Sequence, residues 1–282
     1  MIQIRNNQLV ALINPLGAEL TELSKNDGVN VLWKKDSSFW NRISPNLFPI
    51  VGRLKSDSYT YENRNFSMSQ HGFVRDFYFE VINQDESSVI FELNSNEVTK
   101  RQYPFDFTFQ VCYSIENSKL KVEFNVQNRG GEVLPYSVGG HPGFAVNGSI
   151  NDYYLVFEGN YESERWLLEG PFYSGKTEPI LLNEFFELDY KLFENDAIVI
   201  RNPEFGKVML AHKKQGKLLS VSSNNWHAIG FWSKQNAPFF CIEPWWGWAD
   251  SINSSGKFIE KEGLNFLNAN EIGSHSFEIE LF

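Results

Sequence analysis

The chain is 282 residues long and carries a formal net charge of −10, with 25 Lys and Arg against 35 Asp and Glu. This acidic balance argues against a nucleic-acid partner or an anionic membrane surface, both of which need clustered cations to displace counterions. The two cysteines, Cys112 and Cys241, are far apart and form no C-x-x-C spacing, which indicates neither a disulfide scaffold nor a zinc ribbon and points to a reducing compartment. The opening residues "MIQIRNNQLVALINP" lack a basic segment followed by an apolar one, and no stretch has the length to span a bilayer, so a cytoplasmic protein is expected. Aromatic residues make up 16% of the chain, which suits half-buried sheet surfaces and an aromatic-lined cleft.

In chain order, the first unusual stretch is "SPNLFPIVGRLKSDSY", where Arg53 follows a glycine at the end of an apolar run. A guanidinium there offers a fixed fork to ligand oxygens, or pairs with an acid. Next comes "SQHGFVRDF", with His71 beside a glycine that lets backbone or ligand approach closely. Strands are predicted over 88–94, 105–115 and 119–128; in the last, Leu120, Val122, Phe124 and Val126 fall on one face and Lys121, Glu123 and Asn125 on the other. Between the first two, "NEVTKRQYP" has room for one helical turn ended by Pro104. "YSVGGHPGFAV" then sets His141 between a glycine pair and a Pro-Gly turn. A titratable ring among apolar neighbours is either satisfied structurally or held in a pocket to act on something.

Further strands are predicted over 153–159, 207–212, 218–223, 229–232, 239–243 and 275–282, with the stretch 168–179 read as a loop excursion. In "FFCIEPWWGWADS", alternation from Phe239 puts Cys241 and Glu243 on one face. If that face is the core, desolvation raises the carboxyl pKa unless donors hold it ionised, which makes a usable general base. Trp245, Trp246 and Trp248 follow, and indole faces suit the C–H faces of a sugar ring, with core filling expected of at least one. His212, His227 and His275 lie at strand ends or on polar faces and read as structural.

Helical periodicity is nearly absent, so crossover helices are unavailable and antiparallel sheets packed face to face are expected, as one large all-β domain over 1–282. No H-x-x-x-H, H-x-H or H-E-x-x-H spacing favours a metal, and no G-x-S-x-G elbow, P-loop or dinucleotide fingerprint is present.

The segments "INPLGAEL", "VLWKKD", "PNLFPIVGRL", "QHGFVRDF", "SVGGHPGF" and "FFCIEPWWGWADS", in this order, resemble the aldose 1-epimerase (galactose mutarotase) family, especially its LacX-like branch, over nearly the whole chain. The resemblance implies a large antiparallel β-sandwich that interconverts hexose anomers without a cofactor. It also implies that Glu243 is the general base and His141 the general acid, that His71 binds near the ring oxygen, and that Arg53 contacts the sugar. The family's hydroxyl-binding aspartate precedes a histidine; its nearest match is Asp196 in "FENDAIVI", without that histidine. Trp245 is expected to stack on the sugar.

Two rival readings stay open from the sequence. One is an epimerase of a hexose 6-phosphate, with Arg53, Lys55 and Arg75 as the cations. The other is a non-catalytic sugar-binding protein on the same fold. The expected partner is a small sugar, with the chain a monomer or homodimer.

Overall fold

Period-two burial runs through the long strands. In Lys119–Asn128 every second residue from Leu120 is buried, and Phe107–Glu116 pairs with it in continuous antiparallel register. In the computed structural model, which describes residues 1–26 and 28–282, these two strands lie within a nine-stranded sheet that runs from Phe186–Glu187 at one edge to Glu80–Gln84 at the other. A second sheet of eight strands includes Ile198–Arg201, Ala228–Trp232, Phe239–Trp246 and Val138–Gly140 side by side. All strand pairs in both sheets are antiparallel.

Rings from the two sheets meet between them. Phe124 packs edge-on to Trp246 at 6.2 Å, and Phe157 edge-on to Phe231 at the same centroid distance. The expected all-β sandwich is therefore the observed architecture, its core filled from both inner faces. The strand predictions at 88–94, 119–128 and 207–212 match the observed bounds. The single helical turn is Glu97–Lys100, closed by a capping box between Asn96 and Thr99.

One region differs from the sequence reading. The stretch taken as a loop excursion is a long hairpin, Tyr161–Glu169 with Phe172–Leu182. It escaped the pattern because nearly all its residues are half-buried or exposed, so backbone pairing holds it together without an apolar face. It joins the sheet through Arg165↔Ile200 and Trp166↔Val199. Among the described residues, no helix is long and apolar enough to cross a membrane.

Candidate active site

The strand Phe239–Trp246 is buried along its whole length, but its two faces meet different surroundings. Phe240, Ile242 and Trp246 enter the core between the sheets. Cys241, Glu243 and Trp245 point the other way, to the outer face of the eight-stranded sheet, where loops and the 161–182 hairpin cover them. The carboxylate thus lies outside the sandwich core, and its burial comes from this cover.

Two short strands, Val138–Gly140 and Gly143–Ala145, pair with the same strand on one side. Their registers, Gly139↔Trp245 and Gly143↔Cys241, belong to one continuous alignment that sets His141 opposite Glu243. Two motifs about a hundred residues apart are in this way cross-strand partners on one face. The ring Nε2 of His141 lies 3.2 Å from Glu243 Oε2. The glycine pair before His141 serves the packing of neighbours. A Cβ on Gly139 would come within 2.8 Å of the Trp245 ring, and one on Gly140 within 2.9 Å of Phe277 in the core. Gly230, cross-strand from Glu243 on the other side, makes the same room for Trp245.

Above this pair opens a cavity of about 310 Å³. Trp40 stacks on the His141 ring at 4.7 Å, and Trp232 meets it edge-on at 5.8 Å. The opposite wall is Trp166, Tyr173 and Trp248. The Arg201 guanidinium lies over both indoles, 3.5 Å from the Trp166 centroid and 3.8 Å from that of Trp248, which fixes this wall by cation–π attraction. Behind it, buried Lys261 donates to the Trp248 carbonyl at 2.5 Å and pairs with Asp250 at 3.4 Å.

His71 reaches the cavity from a loop held by a reciprocal pair of bonds: its N–H donates to the Gly52 carbonyl at 2.7 Å, and the Gly52 N–H donates to His71 Nδ1 at 3.1 Å. With Nδ1 accepting, the neutral ring carries its proton on Nε2. Its backbone sits at φ +66, a conformation a side chain bears at a cost, tolerated where a loop must aim a group. Burial keeps the ring's pKa well below the usual histidine value, with His141 and Arg75 adding to the effect.

Burial also pushes His141 down to about 3, against its own backbone carbonyl and with help from Arg75. Glu243 is held well above the usual carboxylate range by burial first and by the negative charge of Asp196 second, while the Trp245 indole opposes the shift. Burial pushes each partner toward its neutral form, and the two facing atoms lie 3.2 Å apart, so the pair titrates as a unit. Glu243 Oε2, Trp248 Nε1 and Arg75 Nε are buried with no hydrogen-bond partner among the described residues.

Of the residues singled out from sequence, His71, His141, Asp196, Glu243 and Trp245 line this cavity. Asp196 sits at its rim on a left-handed turn (φ +77), accepting from the Ala197 N–H at 2.9 Å, with burial raising its pKa. Trp248 is in the wall, whereas Trp246 fills the core and donates its N–H to the Asn225 carbonyl at 2.7 Å.

Arg53 is not brought into the cavity. Its side chain turns away to Asp57, Nε to Oδ1 at 2.6 Å and Nη2 to Oδ2 at 2.5 Å, and an acid four residues on is what captured it. The cation that does line the cavity is Arg75, four residues after His71 in the same motif, donating from Nη2 to the Gln70 carbonyl at 2.6 Å. Trp40, Trp166, Tyr173 and Trp232 were not found from sequence; the aromatic excess was the one signal of them.

The model of the aldose 1-epimerase family matches residues 1–263. Protein LacX (chromosomal) of Lactococcus lactis subsp. lactis is 31% identical over 300 aligned positions, covering 99% of each chain. The crystal structure of a galactose mutarotase related enzyme from Lactobacillus acidophilus superposes with a TM-score of 0.96 at 32% identity, over 100% of this chain and 97% of the other. A galactose mutarotase-like protein from Lactobacillus casei ATCC 334 gives 0.94 at 30%, with full coverage of both. From its sequence, its fold and the cavity they build, the chain belongs to the aldose 1-epimerase family.

Proposed function

We propose that this chain interconverts the α and β anomers of an uncharged hexose by acid–base ring opening and reclosure. Glu243 and His141 are the proton-transfer pair. The observation that carries the reading is the 3.2 Å approach of Glu243 Oε2 to His141 Nε2 beneath an aromatic-walled cavity.

Anomer exchange takes a proton from the C1 hydroxyl and delivers one to the ring oxygen. The C1–O5 bond breaks, the aldehyde rotates, and reclosure on the other face returns both protons. The reaction has no net proton demand, so the catalyst must start with one site filled and one empty. A pair sharing a single proton meets that condition. Passage of the shared proton from Glu243 to His141 arms the pair, with the carboxylate as base to the C1 hydroxyl and the imidazolium as acid to the ring oxygen. Each positioned transfer is worth about 10²–10⁴-fold, which suffices for a reaction that already proceeds in water. In this reading the Nε2–H of His71 donates to a sugar oxygen, and the indole faces cover the C–H surfaces of the ring, which the acceptor role of Nδ1 and the aromatic lining support.

The charge around the cavity favours a neutral sugar over a phosphorylated one. Of the cations considered for a phosphate, Arg75 lines the cavity in company with the two carboxyls Asp196 and Glu243, Lys55 is not in the lining, and Arg53 is committed to Asp57. A dianion prefers several convergent cations. The test is polarimetry on freshly dissolved α-glucose and α-galactose and on their 6-phosphates. Faster decay of rotation with the free sugars supports the reading. Binding without acceleration would replace it with a sugar-binding role.

A further inference from the structure

One buried group beside the proton-transfer pair has no part in the chemistry above. Cys241 lies two residues before Glu243 on the same face of the same strand. Its thiol sulfur, one ring nitrogen of His141 and one carboxylate oxygen of Glu243 all lie within 4.8 Å of one another, and all three residues are buried. Thiolate, imidazole and carboxylate are the three ligand types zinc takes, and ligands at zinc distances in a tetrahedron stand roughly 3.3–3.8 Å apart. From 4.8 Å or less, ligand-atom shifts of about an ångström would bring the triad to that spacing. The carboxylate oxygen Oε2 is buried and faces only the His141 ring nitrogen at 3.2 Å, so a cation there takes the place of the one proton between them. Three protein ligands leave a fourth position, and the cavity above the pair supplies it for water.

We propose that Cys241, His141 and Glu243 form a binding site for a thiophilic divalent cation such as Zn²⁺, and that occupancy of this site shuts the epimerase down. The inhibition follows from the ligands themselves. Binding releases the Cys241 thiol proton and the proton of the Glu243–His141 pair to water, and the metal then holds the lone pairs through which Glu243 and His141 exchange protons, so metal and anomer exchange are mutually exclusive. Cys241 supplies the thiolate that makes the site selective for soft cations over Mg²⁺ or Ca²⁺, which prefer all-oxygen shells. The inhibitory consequence rests on the acid–base reading above; the binding site does not.

Cobalt(II) is the probe, because a thiolate ligand gives it a charge-transfer absorption in the near ultraviolet. Titration of the metal-free chain is expected to bring up that band with one equivalent. With Zn²⁺, anomer exchange is expected to fall in step with occupancy, and saturating hexose to weaken both effects. Cys241→Ser removes the ligand while leaving both proton-transfer groups in place. Since loss of supporting groups alone weakens metal sites roughly 10–100-fold, this variant should need at least about 100-fold more Zn²⁺ for half-inhibition and should lose the band, with metal-free turnover kept. Cys241→Ala checks that a new hydroxyl is not responsible, and Cys112→Ser, which alters the half-buried thiol on the other sheet, should behave as the parent chain. The proposal is overturned if the band survives in Cys241→Ser, or if zinc inhibits parent and variant at the same concentration. Should no sugar be turned over, the acid–base reading fails, and the cobalt band still decides the site.

Discussion

The two faces of the strand Phe239–Trp246 are equally buried and chemically opposite. On the inner face, Phe240, Ile242 and Trp246 meet apolar rings, and the one polar atom among them, the Trp246 N–H, has its carbonyl partner. On the outer face, Glu243 and its neighbours keep polar atoms bare, in a setting that pulls two titratable groups toward their neutral forms. Burial on the first face lowers the free energy of the fold. On the second, burial works against the charged forms of His141 and Glu243. Adjacent residues of one strand therefore divide stability from chemistry, because side chains alternate across a sheet.

Substitutions on the two faces should separate those roles. Glu243→Gln is expected to slow anomer exchange by about 10²–10⁴-fold, read by polarimetry. Its melting temperature should hold or rise. A carboxyl whose folded pKa is raised destabilises the fold once pH climbs past its unfolded value of 4.5, so the amide relieves that cost at neutral pH. A drop in melting temperature of the same variant would make Glu243 a structural group. The neighbouring Ile242→Ala should do the reverse, costing about 2–5 kcal/mol in chemical denaturation with turnover per folded molecule unchanged. The smallest expected change is with pH. With His141 pushed down to about 3 and Glu243 held high, kcat/KM should stay flat through the ordinary histidine value of 6.5, and an acid limb there would show that His141 titrates as if exposed.

Much of this cavity's lining was legible in the sequence because its titratable groups sit in short motifs punctuated by glycine and proline. His71, His141 and Glu243 were found that way, and alternation placed Cys241 beside Glu243. The distance between His141 and Glu243 was not legible, since it depends on strand register, which residues far apart in the chain decide jointly. Arg53 was misplaced because sequence gives a side chain's chemistry but not its direction, and Asp57 one turn on outcompeted the cavity. Trp166 and Tyr173 stayed hidden because the hairpin that carries them shows no buried alternation, although their rings stack on each other at 3.5 Å in the wall.

That hairpin is fastened to the sheet at Arg165↔Ile200 and Trp166↔Val199 while its turn, Gly170–Pro171, projects over the cavity mouth. Two strands of the sheet stand between it and the strand that carries Glu243. A change confined to the hairpin tip is therefore expected to reshape the cavity mouth while leaving the strand registers around Glu243 in place.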